Sequence, residues 1–139
     1  MTDIKKDICD YLEVIREELP VIVVKSSWPE HIQEAVVYIN KNMYDKELTV
    51  TSLRERLYAR NHNNFSSEFS YYTGATPKAY MLNLRLESAK LVMLQDRYQE
   101  VGLWTIANEL GFTSDNAFIH AFRKKEGVTP SKWRKRETE

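Results

Sequence analysis

Apolar residues recur every three or four positions along most of the chain, separated by short polar stretches, so the pattern predicts helices throughout. The first carries Ile4, Ile8, Leu12, Ile15 and Leu19 on one face and stops at Pro20, ahead of a short apolar run from Val21 to Val24. Pro29 opens a second helix with Ile32, Val36, Ile39 and Met43 on one side. Thr49 is placed to cap a third, carrying Leu53 and Leu57; a fourth sets Phe65 and Phe69 at i, i+4 and ends at Gly74. From Pro77 to about Gln95 there is no Gly or further Pro, and apolar residues occupy almost every helical angle. This predicts one helix of ~28 Å, packed on several sides. Beyond it, Ile106, Ala107 and Leu110 lead to Gly111, Phe118 and Phe122 share a face before Gly127, and Thr129 with Pro130 starts a last helix.

Sliding the chain against itself exposes the organisation. An offset of 53 pairs Leu57 with Leu110, Asn63 with Asn116, Phe65 with Phe118, Phe69 with Phe122, Gly74 with Gly127, Thr76 with Thr129 and Pro77 with Pro130, in order and without a gap. Tyr80 with Trp133 is a similar pair. Two short helices joined by a tight turn, the second bearing a paired aromatic face, form a helix-turn-helix. The chain therefore reads as an all-α protein: two helix-turn-helix subdomains (about 49–74 and 103–127) joined by a long linker helix (about 77–95), with an extra N-terminal amphipathic helix. The first turn carries Tyr58 where the second carries Gly111.

Composition narrows the function. Twenty basic and twenty acidic residues give a formal net charge of zero in 139 residues, 42% of them apolar, which is a globular composition. No apolar stretch approaches the ~20 residues of a membrane helix, and no leader-like segment opens the chain, so a cytoplasmic location without membrane association is expected. The one cysteine, Cys9, reads as an inert surface thiol, and no cofactor or metal site is expected. Three scattered histidines (His31, His62, His120) and no nucleophile or phosphate-loop motif argue against an enzyme. The charge is uneven: residues 1–47 carry 6 basic and 10 acidic side chains, net −4, and residues 48–139 carry 14 and 10, net +4. Within 123–136, seven basic residues face Glu126 alone. That run is either a solvated terminus or a polyanion contact.

If Phe65 and Phe69 point inward, then at 100° per residue Asn63, Ser67 and Ser70 point outward, with Asn64 and Ser66 on the flanks. The repeat places Asn116, His120 and Arg123 outward on the second such helix, with Ala117 and Ile119 beside them. These chemistries suit base edges, since Asn reads adenine bidentately, Ser donates or accepts, and apolar groups touch the thymine methyl. The candidate base contacts are Asn63, Ser66, Ser67, Asn116 and His120. Those for the phosphate backbone are Ser114, Arg123, Lys124, Lys132, Arg134 and Lys135, at a helix start or on the basic C-terminal elements. For each, the alternative is an ordinary solvated surface residue. Trp28, Tyr80 and Trp133 are expected in the partial core, Tyr71 and Tyr72 at a core edge, and Trp104 exposed.

The order of elements resembles the AraC/XylS DNA-binding domain over roughly residues 29–136. The resemblance rests on Ile106-Ala107-Asn108-Glu109-Leu110-Gly111-Phe112, Phe118, Ala121-Phe122 and Gly127-Val128-Thr129-Pro130, together with Arg85-Leu86-Glu87-Ser88-Ala89-Lys90 in the linker. Departures lie in the first motif, with Arg54 where the family usually has a small residue and Tyr58 in place of the turn glycine. The resemblance implies a transcriptional regulator that inserts two recognition helices into successive major-groove segments of double-stranded DNA. RNA polymerase is the further partner it implies; activation is the expected role, though the residues do not separate activator from repressor. Zero net charge and the scarcity of Lys and Arg on the recognition helices keep a second reading open, a helix-turn-helix protein-interaction module.

The domain itself is expected over residues 28–136. Residues 1–27 lie outside the resemblance. Their stripe Ile8, Leu12, Ile15, Leu19 is spaced like a coiled-coil seam and too short to stand alone. Either it folds back on its own domain or it makes a homodimer, with Val21 to Val24 adding an edge strand.

Overall fold

The computed structural model describes residues 3–57 and 64–139, and the turn residues Tyr58, His62 and Asn63 lie outside that range. Eight α-helices are present among the described residues, and no strand. They are α1 (Ile4–Val14), α2 (Glu30–Asn42), α3 (Val50–Leu57), α4 (Phe65–Thr73), α5 (Pro77–Met93), α6 (Leu103–Glu109), α7 (Asp115–Glu126) and α8 (Pro130–Thr138). The chain divides into two units: Pro20–Leu84, and Met1–Leu19 together with Arg85–Glu139. The unbroken α5 supplies residues to both.

In the unit of Pro20–Leu84, α2 packs on α3 and α4. Ile32, Val36, Ile39 and Met43 are buried with Leu53, Phe65, Phe69, Tyr80 and Leu84, as the helical spacing requires. Thr49 caps α3: its hydroxyl accepts from the Ser52 N–H at 3.0 Å, while the Ser52 hydroxyl accepts from the Thr49 N–H at 2.9 Å. Residues 21–24 add no strand. The Ile22 N–H donates to the Tyr80 hydroxyl at 2.9 Å and its carbonyl accepts from Asn40 Nδ2 at 3.4 Å, so side chains of the same unit take the backbone groups that an edge strand would have offered.

In the other unit, α1 packs on α6. Ile8, Leu12, Ile15 and Leu19 are all buried in the single chain, so the seam-like stripe is already covered. A dimer through that stripe would have to strip it from this core. The helix is also shorter than the apolar pattern implied, tightening to a 3₁₀ turn at Ile15–Glu18 before Leu19 turns extended, as the residue ahead of a proline must. The linker ends at Met93 rather than Gln95, where Gln99 Nε2 donates to the Met93 carbonyl at 2.6 Å and the Gln95 carbonyl at 3.0 Å. Not every apolar position on α5 is buried, since Ala79 is exposed and Leu82 and Leu91 are half-buried. Tyr98 is fully buried; its hydroxyl donates to the Asp7 carbonyl at 3.3 Å and its ring lies 5.7 Å from that of Tyr11.

The 53-residue repeat is physical as well as textual. Gly74 and Gly127 close α4 and α7 at φ of 88° and 82°, each with its N–H donating to the carbonyl four residues back at 2.8 Å. The Thr76 and Thr129 hydroxyls accept from the Ala79 and Lys132 N–H groups at 3.1 and 3.3 Å. The ring pairs Phe65–Phe69 and Phe118–Phe122 stand 5.9 and 5.8 Å apart, and the next rings, Tyr80 and Trp133, close on them at 6.3 and 5.8 Å.

Candidate nucleic-acid interface

The second helix-turn-helix is built by α6 and α7. Ile106, Ala107 and Leu110 bury α6, and Gly111 turns the chain at φ of 97°, a conformation any side chain would strain. The Phe112 N–H then donates to the Ala107 carbonyl at 3.3 Å and its ring meets Phe118 at 5.0 Å. Ser114 caps α7, its hydroxyl accepting from the Ala117 N–H at 3.0 Å. With Phe118 and Phe122 inside, the opposite face of α7 presents Asn116, Ala117, His120, Arg123 and Lys124, all exposed, with Ile119 half-buried beside them. Asp115 stands in the first turn, where the helix dipole favours an acid.

Four side chains fix where α7 lies on the linker. Lys125 Nζ reaches Glu87 Oε1 at 2.7 Å, Lys90 Nζ reaches Glu87 Oε2 at 3.3 Å, and Lys90 also meets Glu126 Oε1 at 3.2 Å. Burial pushes the Glu87 carboxyl up, but the hydrogen bond and charge of Lys125, then of Lys90, outweigh it and hold the group below its ordinary value. Lys90 is the mirror case: burial pushes it down, and Glu126 and Glu87 hold it above. Both lysines, Lys90 half-buried and Lys125 exposed, are engaged by carboxylates of this network, which was not foreseen in the sequence.

Among the candidate phosphate contacts, Lys132 and Lys135 are exposed with Arg123 and Lys124. Ser114 is exposed too, its hydroxyl also serving as cap. Arg134 departs from expectation. It is half-buried, and its Nη1 donates to the Val101 carbonyl at 3.0 Å and the Tyr98 carbonyl at 3.4 Å, tying α8 to the loop before α6. Burial lowers its pKa, with Glu100 partly opposing.

In the first motif, Ser67 is exposed and Ser66 half-buried on α4, while Asn63 falls outside the described residues. Helix α4 carries Glu68, engaged by the His31 imidazole on α2, and no Lys or Arg. Tyr72 is half-buried as expected, but Tyr71 is 82% exposed. Trp28 is half-buried, Tyr80 and Trp133 are buried, and Trp104 is 37% exposed. Cys9 is exposed; its thiol donates to Glu109 Oε2 at 3.2 Å, and burial first, with that carboxylate second, pushes its pKa up to about 11. No group of three or more potential metal ligands occurs among the described residues, and none of their helices is long and apolar enough to cross a membrane.

A family model described as the helix-turn-helix domain matches residues 56–136, more than half of the chain. The chain is similar to an uncharacterized HTH-type transcriptional regulator, YobQ, of Bacillus subtilis. The two are 31% identical over 111 residues, which is 80% of this chain and 44% of that protein. It is also similar to a probable transcriptional regulator, LumQ, of Photobacterium leiognathi, 25% identical over 130 residues, 94% of this chain and 46% of that protein. The chain thus spans less than half the length of these relatives. Among solved structures it resembles the C-terminal domain of the two-component response regulator yesN of Fusobacterium nucleatum. That match has a TM-score of 0.64 at 29% identity, covering 73% of this chain and 95% of that domain.

Proposed function

The chain belongs to the AraC-type helix-turn-helix domain family, and from that premise we propose that it is a sequence-specific regulator of transcription that binds double-stranded DNA through tandem recognition helices. One observation carries the reading: the exposed ridge of α7, where Asn116, Ala117, His120, Arg123 and Lys124 stand opposite the buried Phe118 and Phe122. An amide, an imidazole and two cations on a helix ~10–12 Å wide with its side chains match the size of the major groove and the chemistry of its edges. Asn116 and His120 read bases. Arg123, Lys124, Lys132, Lys135 and the α7 N-terminus at Ser114 take the phosphates. Arg134 supports α8 from within.

On α4 the equivalent readers are Ser67, with Ser66 beside it and Asn63 before it. The two motifs are tandem, so the bound site is asymmetric and spans two successive groove segments, with the continuous α5, ~25 Å at 1.5 Å per residue, between them. The domain is assigned to residues 28–136. RNA polymerase is the protein partner that a regulator of this family would meet, and the cytoplasm is where both would be found. The homodimer through residues 1–27 is not part of the proposal, because its stripe is already covered.

Zero net charge favours one competitor, a protein-interaction module. Fluorescence anisotropy of random and pool-selected duplexes at low and moderate salt separates the two. A DNA-binding regulator binds the random duplex at low salt and prefers the selected one as salt rises; a module for protein partners binds neither.

A further inference from the structure

We propose that Tyr71 is a DNA-backbone contact of the first recognition helix, its hydroxyl donating to a phosphate oxygen where α7 offers the Lys124 ammonium. The proposal rests on the DNA-binding reading and deepens it. On α4, Phe65 and Phe69 are buried, and the opposite ridge runs Asn64, Ser67, Tyr71, all exposed. The Tyr71 ring is 82% exposed and meets Tyr72 edge-on, 4.9 Å between centroids at 89°. Tyr72 is half-buried, so it holds the neighbouring ring at the surface and reduces the freedom lost on binding.

The repeat says what this position is for. An offset of 53 takes Ser67 to His120 and Tyr71 to Lys124, and the glycine caps, threonine caps and ring pairs recur at the same offset in both motifs. On α7 this site ends the exposed ridge with a cation. On α4 no Lys or Arg is present, and its one acid, Glu68, is taken up by His31. Any side-chain phosphate contact from α4 must therefore come from a neutral donor. Tyr71 has the longest reach of those on the exposed ridge, and tyrosine hydroxyls are regular donors to the DNA backbone. A neutral donor also keeps α4 free of fixed positive charge, so this motif adds a hydrogen bond without a matching salt dependence.

The test compares Tyr71→Phe, Tyr71→Lys, Lys124→Ala and Asn116→Ala with the full chain, on selected and random duplexes over a range of salt, with thermal melts to show that each variant is folded. Tyr71→Phe, which removes only the hydroxyl, is expected to weaken both duplexes about three- to tenfold by the same factor and leave the salt slope unchanged. Tyr71→Lys should restore affinity and steepen the slope by about one, the opposite of Lys124→Ala. Suppose the parent chain binds, Asn116→Ala relaxes its specificity, and Tyr71→Phe changes neither duplex by more than about twofold. The Tyr71 contact is then overturned and the DNA reading stands. A Tyr71→Phe effect confined to one base pair overturns the backbone role in favour of base reading. Absence of binding by the parent chain overturns both.

Discussion

At the scale of single residues, two cations nine positions apart on adjacent elements have different fates. Lys125 is drawn to Glu87, whereas Arg134 turns in to two backbone carbonyls; Lys124 and Lys135, one residue from each, remain exposed. Asn116→Ala is expected to cost ~1–3 kcal/mol on the selected duplex and to relax preference at one base pair. Lys135→Ala should weaken all duplexes equally and flatten the salt slope by about one. Equal losses on selected and random DNA from Asn116→Ala would reject its reading role. With its pKa near 11, only about one Cys9 in a thousand is thiolate at pH 8. Alkylation by iodoacetamide should be correspondingly slow and speed up in Glu109→Gln; a rate equal to that of free cysteine would contradict the assignment. The inward faces of α4 and α7 were legible from phenylalanine spacing alone. The exposure of Tyr71 was available from the same angles, because it lies ~200° round the helix from Phe69 while Tyr72 lies ~300°, but adjacent tyrosines read together suggest a core edge. The turn of Arg134 toward carbonyls 33 and 36 residues earlier is a tertiary contact that no local pattern records.

Among elements, α1 is the one whose partner could not be read from the chain. Its stripe showed that it must pack, and the period is the same for a fold-back and a coiled coil. The structure gives it α6, with Cys9 on Glu109 and, at the foot of the helix, Arg97 on Asp7 at 3.4 Å. Leu12→Ala should therefore destabilise the second helix-turn-helix by ~2–5 kcal/mol, seen as a lower melting temperature independent of protein concentration. A concentration-dependent loss would indicate a dimer instead. The α5–α7 network carries a pH signature. Glu87 titrates below its ordinary 4.5, so the stability it contributes is fully present above that value and is lost as pH falls through its depressed folded value. Glu87→Gln should flatten the acid side of the melting-temperature profile and leave it less stable at neutral pH; an unchanged profile would mean that the ion pairs contribute nothing. These partners sit 3 to 38 residues apart, which is why the charges read only as a solvated surface in the sequence.

For the whole molecule, the repeat carried most of the information. It marked two motifs, their caps and the helix between them, and the described helices follow it closely. It could not show that Val21 to Val24 would remain irregular, because four apolar residues satisfy a strand as well as a loop whose backbone is hydrogen-bonded by side chains. The charge division into −4 and +4 segments agrees with the proposed contact between the basic C-terminal half and a polyanion; with zero net charge, the proposal requires that affinity be held by local contacts.

The central claim is that both motifs read one asymmetric duplex site. The most direct measurement is selection of sites from a random duplex pool with the full chain, followed by hydroxyl-radical footprinting of the enriched sequence. The account predicts a non-palindromic consensus with two protected segments about one helical turn, ~10–10.5 base pairs, apart on one face. Protection of a single half-site would contradict the tandem engagement, and no enrichment over random DNA would contradict sequence-specific binding itself.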